Sequence, residues 1–377
     1  MTLIIPILTL FFLAGCGCSP LADPALAKQS LEVAKTTSIG FLPQTRDGYW
    51  VEKWAEVPGA RSLAVSPDGQ TVFVGSRSGW VHKVSVTDRG PKVELFQEGL
   101  EGSNGVCFLG EDLLIAERLQ VKRYSADKGF DSQQTGSLIL NGFPDEKHHG
   151  WRYMKVSPEG RIYLAIGAPC NVCERKDDPR FASIVSFEED GSALRLEAEG
   201  VRNSVGFDWH PQSRDFYFTD NGRDNLGDDV PPCELNVLPH GDSGKHYGFP
   251  YFYGDDQPDP EYGSRAPDKT FVSPLVKFQA HVAPLGCYFP RSESLRSQFN
   301  NQILVAQHGS WNRSSKVGYQ VVGLDLNQKA PKPDPLLWGF LEGEKTLGRP
   351  VDIAELPDGT LLVSDDGGGV IWAVRAR

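Results

Sequence analysis

One pattern recurs along this chain and limits what it can become: an apolar alternation, a Pro-Asp-Gly type of turn, and a second apolar alternation. It appears as LAVSPDGQTVFVG from Leu63 and MKVSPEGRIYLAIG from Met154. It returns as GFDWHPQSRDFYFTDNG from Gly206 and IAELPDGTLLVSDDGGGVIWAV from Ile353. Looser copies start at Gly105 (GVCFLGEDLLIAE) and at Leu285 (LGCYFP, then NNQILVAQHG). Period-two alternation gives each run one apolar face, and a glycine-bearing turn joins two runs as an antiparallel hairpin. A lone hairpin cannot bury that face, so the units must pack on one another. Six of them, at irregular spacings of about 40–80 residues, predict an all-β, six-bladed β-propeller. The surplus chain then forms long loops at the top of a central channel. YWVEKWAEV, Tyr49 to Val57, is predicted to close the ring beside the C-terminal strand.

Composition fits many turns. The 377 residues include 40 Gly and 27 Pro but only 2 Met, a usage suited to short strands rather than long helices. A formal net charge of −11 repels phosphate, so no nucleic-acid partner is expected. The stretch LIIPILTLFFLAGC, Leu3 to Cys16, is apolar but short for a membrane span. It ends in Leu13-Ala14-Gly15-Cys16, which resembles the bacterial lipoprotein box whose Cys is lipidated after cleavage. The expected organisation is a lipoprotein-type signal peptide over 1–16, a linker over 17–45 and the propeller over 46–377. That places the protein on the periplasmic side of a bacterial membrane, attached only through a lipid at Cys16. No Lys or Arg precedes the apolar run, so a plain secretory signal is the second reading.

The cysteines suit an oxidising compartment. Cys170-Asn171-Val172-Cys173 is followed by Glu174, whereas a c-type haem site needs His there. A zinc site would need a second ligand pair at suitable spacing. A local disulfide is the expectation. Cys107 and Cys287 lie in apolar runs and are expected as buried thiols.

Polar groups gather after the second strand of a unit or on the segments between units. KHHGWR brings His148, His149 and Arg152 to the start of a blade. A His pair in a loop serves either as surface polarity or as an acid–base group. Arg202-Asn203 enters the next blade, where it could cap a turn or offer planar donors to an anionic oxygen. The loop from Thr219 to Asn236 carries Asp220, Asp224, Asp228, Asp229 and Glu234. Such a loop is either merely solvated or supplies carboxylates, Asp228 and Asp229 among them, to a hard cation such as Ca²⁺. The loop AQHGSWNRSSKVGYQ, Ala306 to Gln320, holds His308, Trp311 and Arg313 where plain turn residues would suffice.

The ordered set HHGWR, GVRN, DNGRD, ELN, YGFP, APLG, HGSWNR, GRPVDI and DGTLLVSDD runs from about Ser103 to the C-terminus. It resembles the PQQ-dependent glucose/sorbosone dehydrogenase family, six-bladed propellers that bind pyrroloquinoline quinone (PQQ) and Ca²⁺ and oxidise sugars. The resemblance implies that His148, four residues before Arg152, is the base. It implies that Ser103, Arg202, Asn203 and Arg349 contact PQQ, and that backbone carbonyls at Gly222 and Arg223 hold the calcium. His308, Trp311 and Arg313 would cover the anionic, planar cofactor. Three positions depart from the family's pattern: Arg223 follows Gly222 in place of Pro, Cys233 stands for an Asp, and His308 lies near the place of a Lys.

The expected activity is PQQ- and Ca²⁺-dependent oxidation of an aldose or sorbosone-like sugar. Electrons would pass to a periplasmic acceptor such as a cytochrome c or a quinone. Two other classes remain in view: a calcium-dependent propeller lactonase or hydrolase using the same acidic loop, and a non-catalytic sugar-binding propeller.

Overall fold

The computed structural model describes residues 41–377. The signal segment, Cys16 and the linker through residue 40 lie outside the described residues. Six antiparallel sheets follow one another along the chain as the blades of a propeller. Each recurring sequence unit forms the first two strands of a blade. Blades 1 to 3 begin with the pairs Leu63–Val65/Thr71–Val74, Gly105–Leu109/Asp112–Ala116 and Met154–Val156/Ile162–Ile166. Blades 4 to 6 begin with Phe207–Trp209/Phe216–Asp220, Pro284–Tyr288/Gln302–Gln307 and Pro350–Glu355/Leu361–Asp365. The third and fourth strands lie outside them.

The ring closes as expected. Tyr49–Glu56 pairs antiparallel with Val370–Ala376 and becomes the outer strand of blade 6, bound to chain from the opposite terminus. Gln44–Thr45, placed in the linker from sequence, adds a fifth strand to blade 5 against Asp334–Trp338. Phe41 packs on Phe340 and Trp372. The propeller therefore begins a few residues earlier than expected.

The core is divided among the gaps between blades. Phe73, Phe96, Leu113 and Tyr124 fill the gap between blades 1 and 2. Leu114, Val121, Leu164 and Val185 fill the next, and Ala165, Ile184, Phe207 and Phe218 the one after. Val72, Leu362 and Ile371 join blade 6 to blade 1, so the packing runs around the circle. Where first strands meet at the axis, the backbones nearly touch. A Cβ on Gly206 would lie 2.1 Å from Leu285 O, so only glycine fits. Blade 4 carries a long excursion before its last strand, Val276–Phe278; within it Lys245–His246 pairs parallel with Arg195–Glu199 of blade 3. Cys170 and Cys173 are disulfide-bonded, while Cys107, Cys233 and Cys287 are buried free thiols.

Candidate functional site at the channel mouth

A first strand runs down the channel and the second returns. The loop before the first and the loop after the second therefore share one end. Arg61, Ser103, His149, Arg202 and Arg349 precede first strands; Arg77, Asn171, Asn221, His308 and Asp366 follow second strands. The topology thus gathers residues spread over some 300 positions of sequence.

Of the two histidines, His149 is held and His148 is loose. His149 is buried and takes φ +51°, a left-handed conformation uncommon outside glycine. A Cβ on Gly167 would meet His149 Cβ at 2.5 Å, so the glycine makes room for the ring. Its Nδ1 lies 2.9 Å from Ala168 O. A carbonyl only accepts, so Nδ1 carries the proton and Nε2 keeps a free lone pair. Burial first, then the positive charge of Arg202, hold His149 well below the ordinary histidine range. His148 is solvent-exposed, its ring centre 4.1 Å from that of His149. It is also shifted down, by partial burial and Arg202.

Arg202 is buried in a nest of oxygens. Nε donates to Asn171 O at 2.8 Å, NH1 to Asn221 O at 3.0 Å, and NH2 to Asn171 Oδ1 at 3.0 Å and Asp224 Oδ2 at 3.2 Å. Its backbone N–H and that of Asn203 donate to Asp220. Burial pushes Asp220 up to about 6 despite those bonds. Asn203 Oδ1 borders the same Gly167 as His149.

Across the mouth, Asp366 joins two elements. His308 Nε2 donates to its Oδ1 at 2.7 Å, and Arg61 NH1 pairs with Oδ2. Burial first, then Arg349, push His308 down to about 3, so it is neutral at pH 7. Burial opposes ionisation of Asp366, but His308, Arg61 and Arg77 outweigh it and keep the carboxyl well below its usual range. Arg61 Nε donates to Asn104 Oδ1 at 2.7 Å, whereas its buried NH2 has no partner. Arg349 donates to the carbonyls of His308 and Gly309, at 3.1 and 2.6 Å. The Arg77 guanidinium lies 3.8 Å over the Trp151 ring and is open to solvent. Arg61, Arg77 and His308 thus share the Asp366 carboxylate, the Arg349 side chain meets only carbonyls, and a buried Arg61 N–H is left over. That arrangement suits a planar polyanion.

Other predicted groups are spent on protein partners or stand at the rim. Ser103 is buried, and its hydroxyl donates to Trp80 O at 3.2 Å. Trp311 stands on the rim, 70% exposed. Arg313 turns to the acidic loop: NH1 bonds Asp228 O and NH2 pairs with Asp229 at 3.0 Å. The Asp228 carboxylate accepts from Ser314 N at 2.9 Å. The Arg223 side chain points away from the mouth, to Asp259 and Glu261. A calcium ion needs several free oxygens with carboxylates among them. Asp220, Asp224, Asp228 and Asp229 already have protein donors, and no three His, Cys, Asp or Glu side chains converge on a metal position among the described residues. The carboxylates expected to join a calcium site, Asp228 and Asp229 among them, are thus held by protein donors.

Residues 171–377 match the TrAA12-like family. The chain belongs to that family. An uncharacterized protein of Borreliella burgdorferi is 34% identical over 331 residues, 83% of this chain and 85% of its own length. Two solved structures share the fold of this TrAA12-like chain. One is an enzyme of carbohydrate-active family AA12 from Trichoderma reesei, with TM-score 0.76 at 19% identity, over 89% of this chain and 98% of its own. The other is the holo PQQ domain of a pyranose dehydrogenase from Coprinopsis cinerea, with TM-score 0.74 at 18% identity, over 90% and 98%.

Sequence reasoning missed Arg61, Arg77, Trp151, Asn171 and Asp366 at this TrAA12-like mouth. Each lies between two blade units or just after a second strand, so the positional rule used for the other groups reaches them too. Arg61 and Arg77 belong to blade 1, upstream of the resembling motifs. Asn171 was hidden inside a segment read only for its cysteines.

Proposed function

We propose that this chain oxidises a sugar with PQQ held at the channel mouth. The observation that carries this reading is a set of under-paired arginines facing a histidine of fixed tautomer. Arg61, Arg77 and Arg349 would hold the carboxylates, with Arg202 and Asn203 opposite. When bound, PQQ supplies the two-electron acceptor. His149 Nε2, rather than His148, takes the proton from the sugar hydroxyl, because its ring is oriented and its lone pair is free. The desolvated charge of Arg202 stabilises negative charge that develops beside it. No step is assigned to calcium. The likeness to a pyranose dehydrogenase PQQ domain supports this reading at the level of fold, and the identity of the sugar is left to the measurement.

The test is titration of the purified chain with PQQ, followed by absorbance, then dye-linked oxidation of a panel of aldoses. Saturable binding that Arg77→Gln and Arg61→Gln weaken, with turnover on at least one aldose, is expected. Absence of PQQ binding overturns the proposal. The same reading puts the protein on the periplasmic side of a membrane, held by a lipid at Cys16, where a cytochrome c or quinone collects the electrons. Cys16→Ser should then release it from the membrane fraction; equal retention of both proteins removes the lipid anchor.

A further inference from the structure

The disulfide-bonded loop that presents Asn171 to Arg202 has a second side. Behind it, against the blade 4 excursion, lies an open cleft of about 400 Å³. Phe249, Pro250 and Tyr251 give it apolar walls, and charged groups line the rest. Four of those groups are cations, Arg175, Lys176, Arg265 and Lys269, against the carboxylates of Glu174 and Glu199. Pairing accounts for three cations: Lys176 lies 3.0 Å from Glu174, Lys269 lies 3.2 Å from Glu199, and Arg175 is held by Asp177 at 2.6 Å. Arg265 has no carboxylate within ion-pair distance among the described residues; its guanidinium rests on the Tyr262 ring at 4.9 Å. Glu174 acts on Arg265 through space but is itself held by Lys176 and the Tyr251 hydroxyl, so the guanidinium N–H groups stay open.

A second donor faces the same cleft. His246 is 8% exposed, and its Nδ1 accepts from Gly248 N at 3.1 Å. That bond leaves the ring proton on Nε2. Burial first, then Lys269, push His246 down to about 4, so it is neutral and offers a fixed N–H rather than a charge. One guanidinium outside any direct ion pair, one oriented N–H and an aromatic wall suit a carboxylate carried on a compact ring with a hydrocarbon face.

We infer that this cleft is a second binding site, for a monosaccharide-sized sugar carboxylate, separate from the channel mouth. The inference does not depend on PQQ chemistry. Arg265 would pair with the carboxylate and His246 Nε2 would donate to it or to a neighbouring hydroxyl. The ring would lie against Tyr251 and Phe249, while Glu174 and Glu199 accept from hydroxyl groups.

The probe is D-glucuronate, with D-glucose as its neutral counterpart, titrated calorimetrically into the full chain at low salt. Glucuronate is expected to saturate one site and glucose to bind much more weakly. Arg265 is exposed, so Arg265→Gln leaves the fold intact and should weaken glucuronate by roughly tenfold or more, the usual loss for a hydrogen bond to a charged group. Arg77→Gln, at the channel mouth, should leave this binding unchanged. Absence of saturable binding, equal affinity for glucose, or loss in Arg77→Gln but not in Arg265→Gln would each overturn the inference. PQQ binding, read by absorbance, is expected to survive Arg265→Gln, which keeps this test separate from that of the proposed activity.

Discussion

His148 and His149 are adjacent in sequence and in space, yet their chemistry diverges because one backbone angle differs in kind. The left-handed turn at His149 drives its ring inward onto Ala168 O and leaves His148 in solvent. If His149 is the base, His149→Gln should lower kcat by roughly 10²–10⁴-fold with PQQ affinity little changed. His148→Gln should be much milder, and the reverse ranking would return the role to His148. The depressed range of His149 also fixes a sign in pH. A base must be deprotonated to act, so turnover should fall on the acid side only well below ~6.5, where an ordinary His titrates. Arg202→Gln removes a charge that depresses this group and should move the acid limb upward. A limb that stays put in that variant would separate His149 from the rate profile.

At the scale of elements, the loop around Cys170–Cys173 does more than connect strands. Asn171 takes two hydrogen bonds from Arg202 and one, at 2.8 Å, from Asp224 N. The disulfide pins the backbone that carries it. If PQQ binds at the mouth as proposed, replacing both cysteines by Ala should loosen Arg202 and weaken that binding by about 10-fold, the order of loss when a supporting partner of a metal ligand is removed. Unchanged affinity would make the disulfide only a local staple. The HGSWNR loop likewise spends much of its polar capacity internally. Ser310 and Val317 exchange hydrogen bonds, Tyr319 OH donates to Ser310 O at 2.6 Å, and Arg313 ties the loop to blade 4. His308 alone of its three singled-out residues reaches the arginine cluster, through Asp366 and the Arg349 contact to its carbonyl.

The whole molecule depends on closure between distant strands and on buried acids whose protonated forms the fold favours. Tyr49–Glu56 contributes Tyr49, Val51, Trp54 and Ala55 to two of the core clusters. A fully buried large apolar side chain is worth about 1.5–3 kcal/mol, so deleting residues before Val57 should unfold or aggregate the propeller; a normal thermal transition would contradict this account. Burial pushes Glu234 up to about 8, with the charge of Asp220 adding to it, and Asp220 itself up to about 6. Both lie above their unfolded values, so the folded state binds more protons. Their contribution is fully present below roughly pH 4 and is lost as pH rises through 6 and then 8. The urea midpoint should decline between pH 5 and 8, and Glu234→Gln should flatten that decline. An unaltered slope would show that Glu234 is ionised in the native protein.

Six blade units, their order and the closing strand were legible in the sequence because each unit carries its own period-two pattern and turn. Those are local properties, set by φ and ψ preferences and side-chain alternation. The disulfide and the buried Cys107 and Cys287 could be read the same way, from spacing and apolar surroundings. The site was legible only in part. Arg202, Asn203, His308 and Arg349 sit in motifs that announce themselves, but no sequence period says which way a loop residue turns. The burial of His149, the oxygen nest around Arg202 and the diversion of Arg313 to the acidic loop depend on groups tens to hundreds of residues apart. So does the sharing of the one Asp366 carboxylate among Arg61, Arg77 and His308, which follows from which acids the neighbouring blades bring within reach. Sequence by itself determined the repeating strand pairs. Tertiary structure decided the chemistry of the mouth, because burial and the distance between charges exist only once the ring has closed.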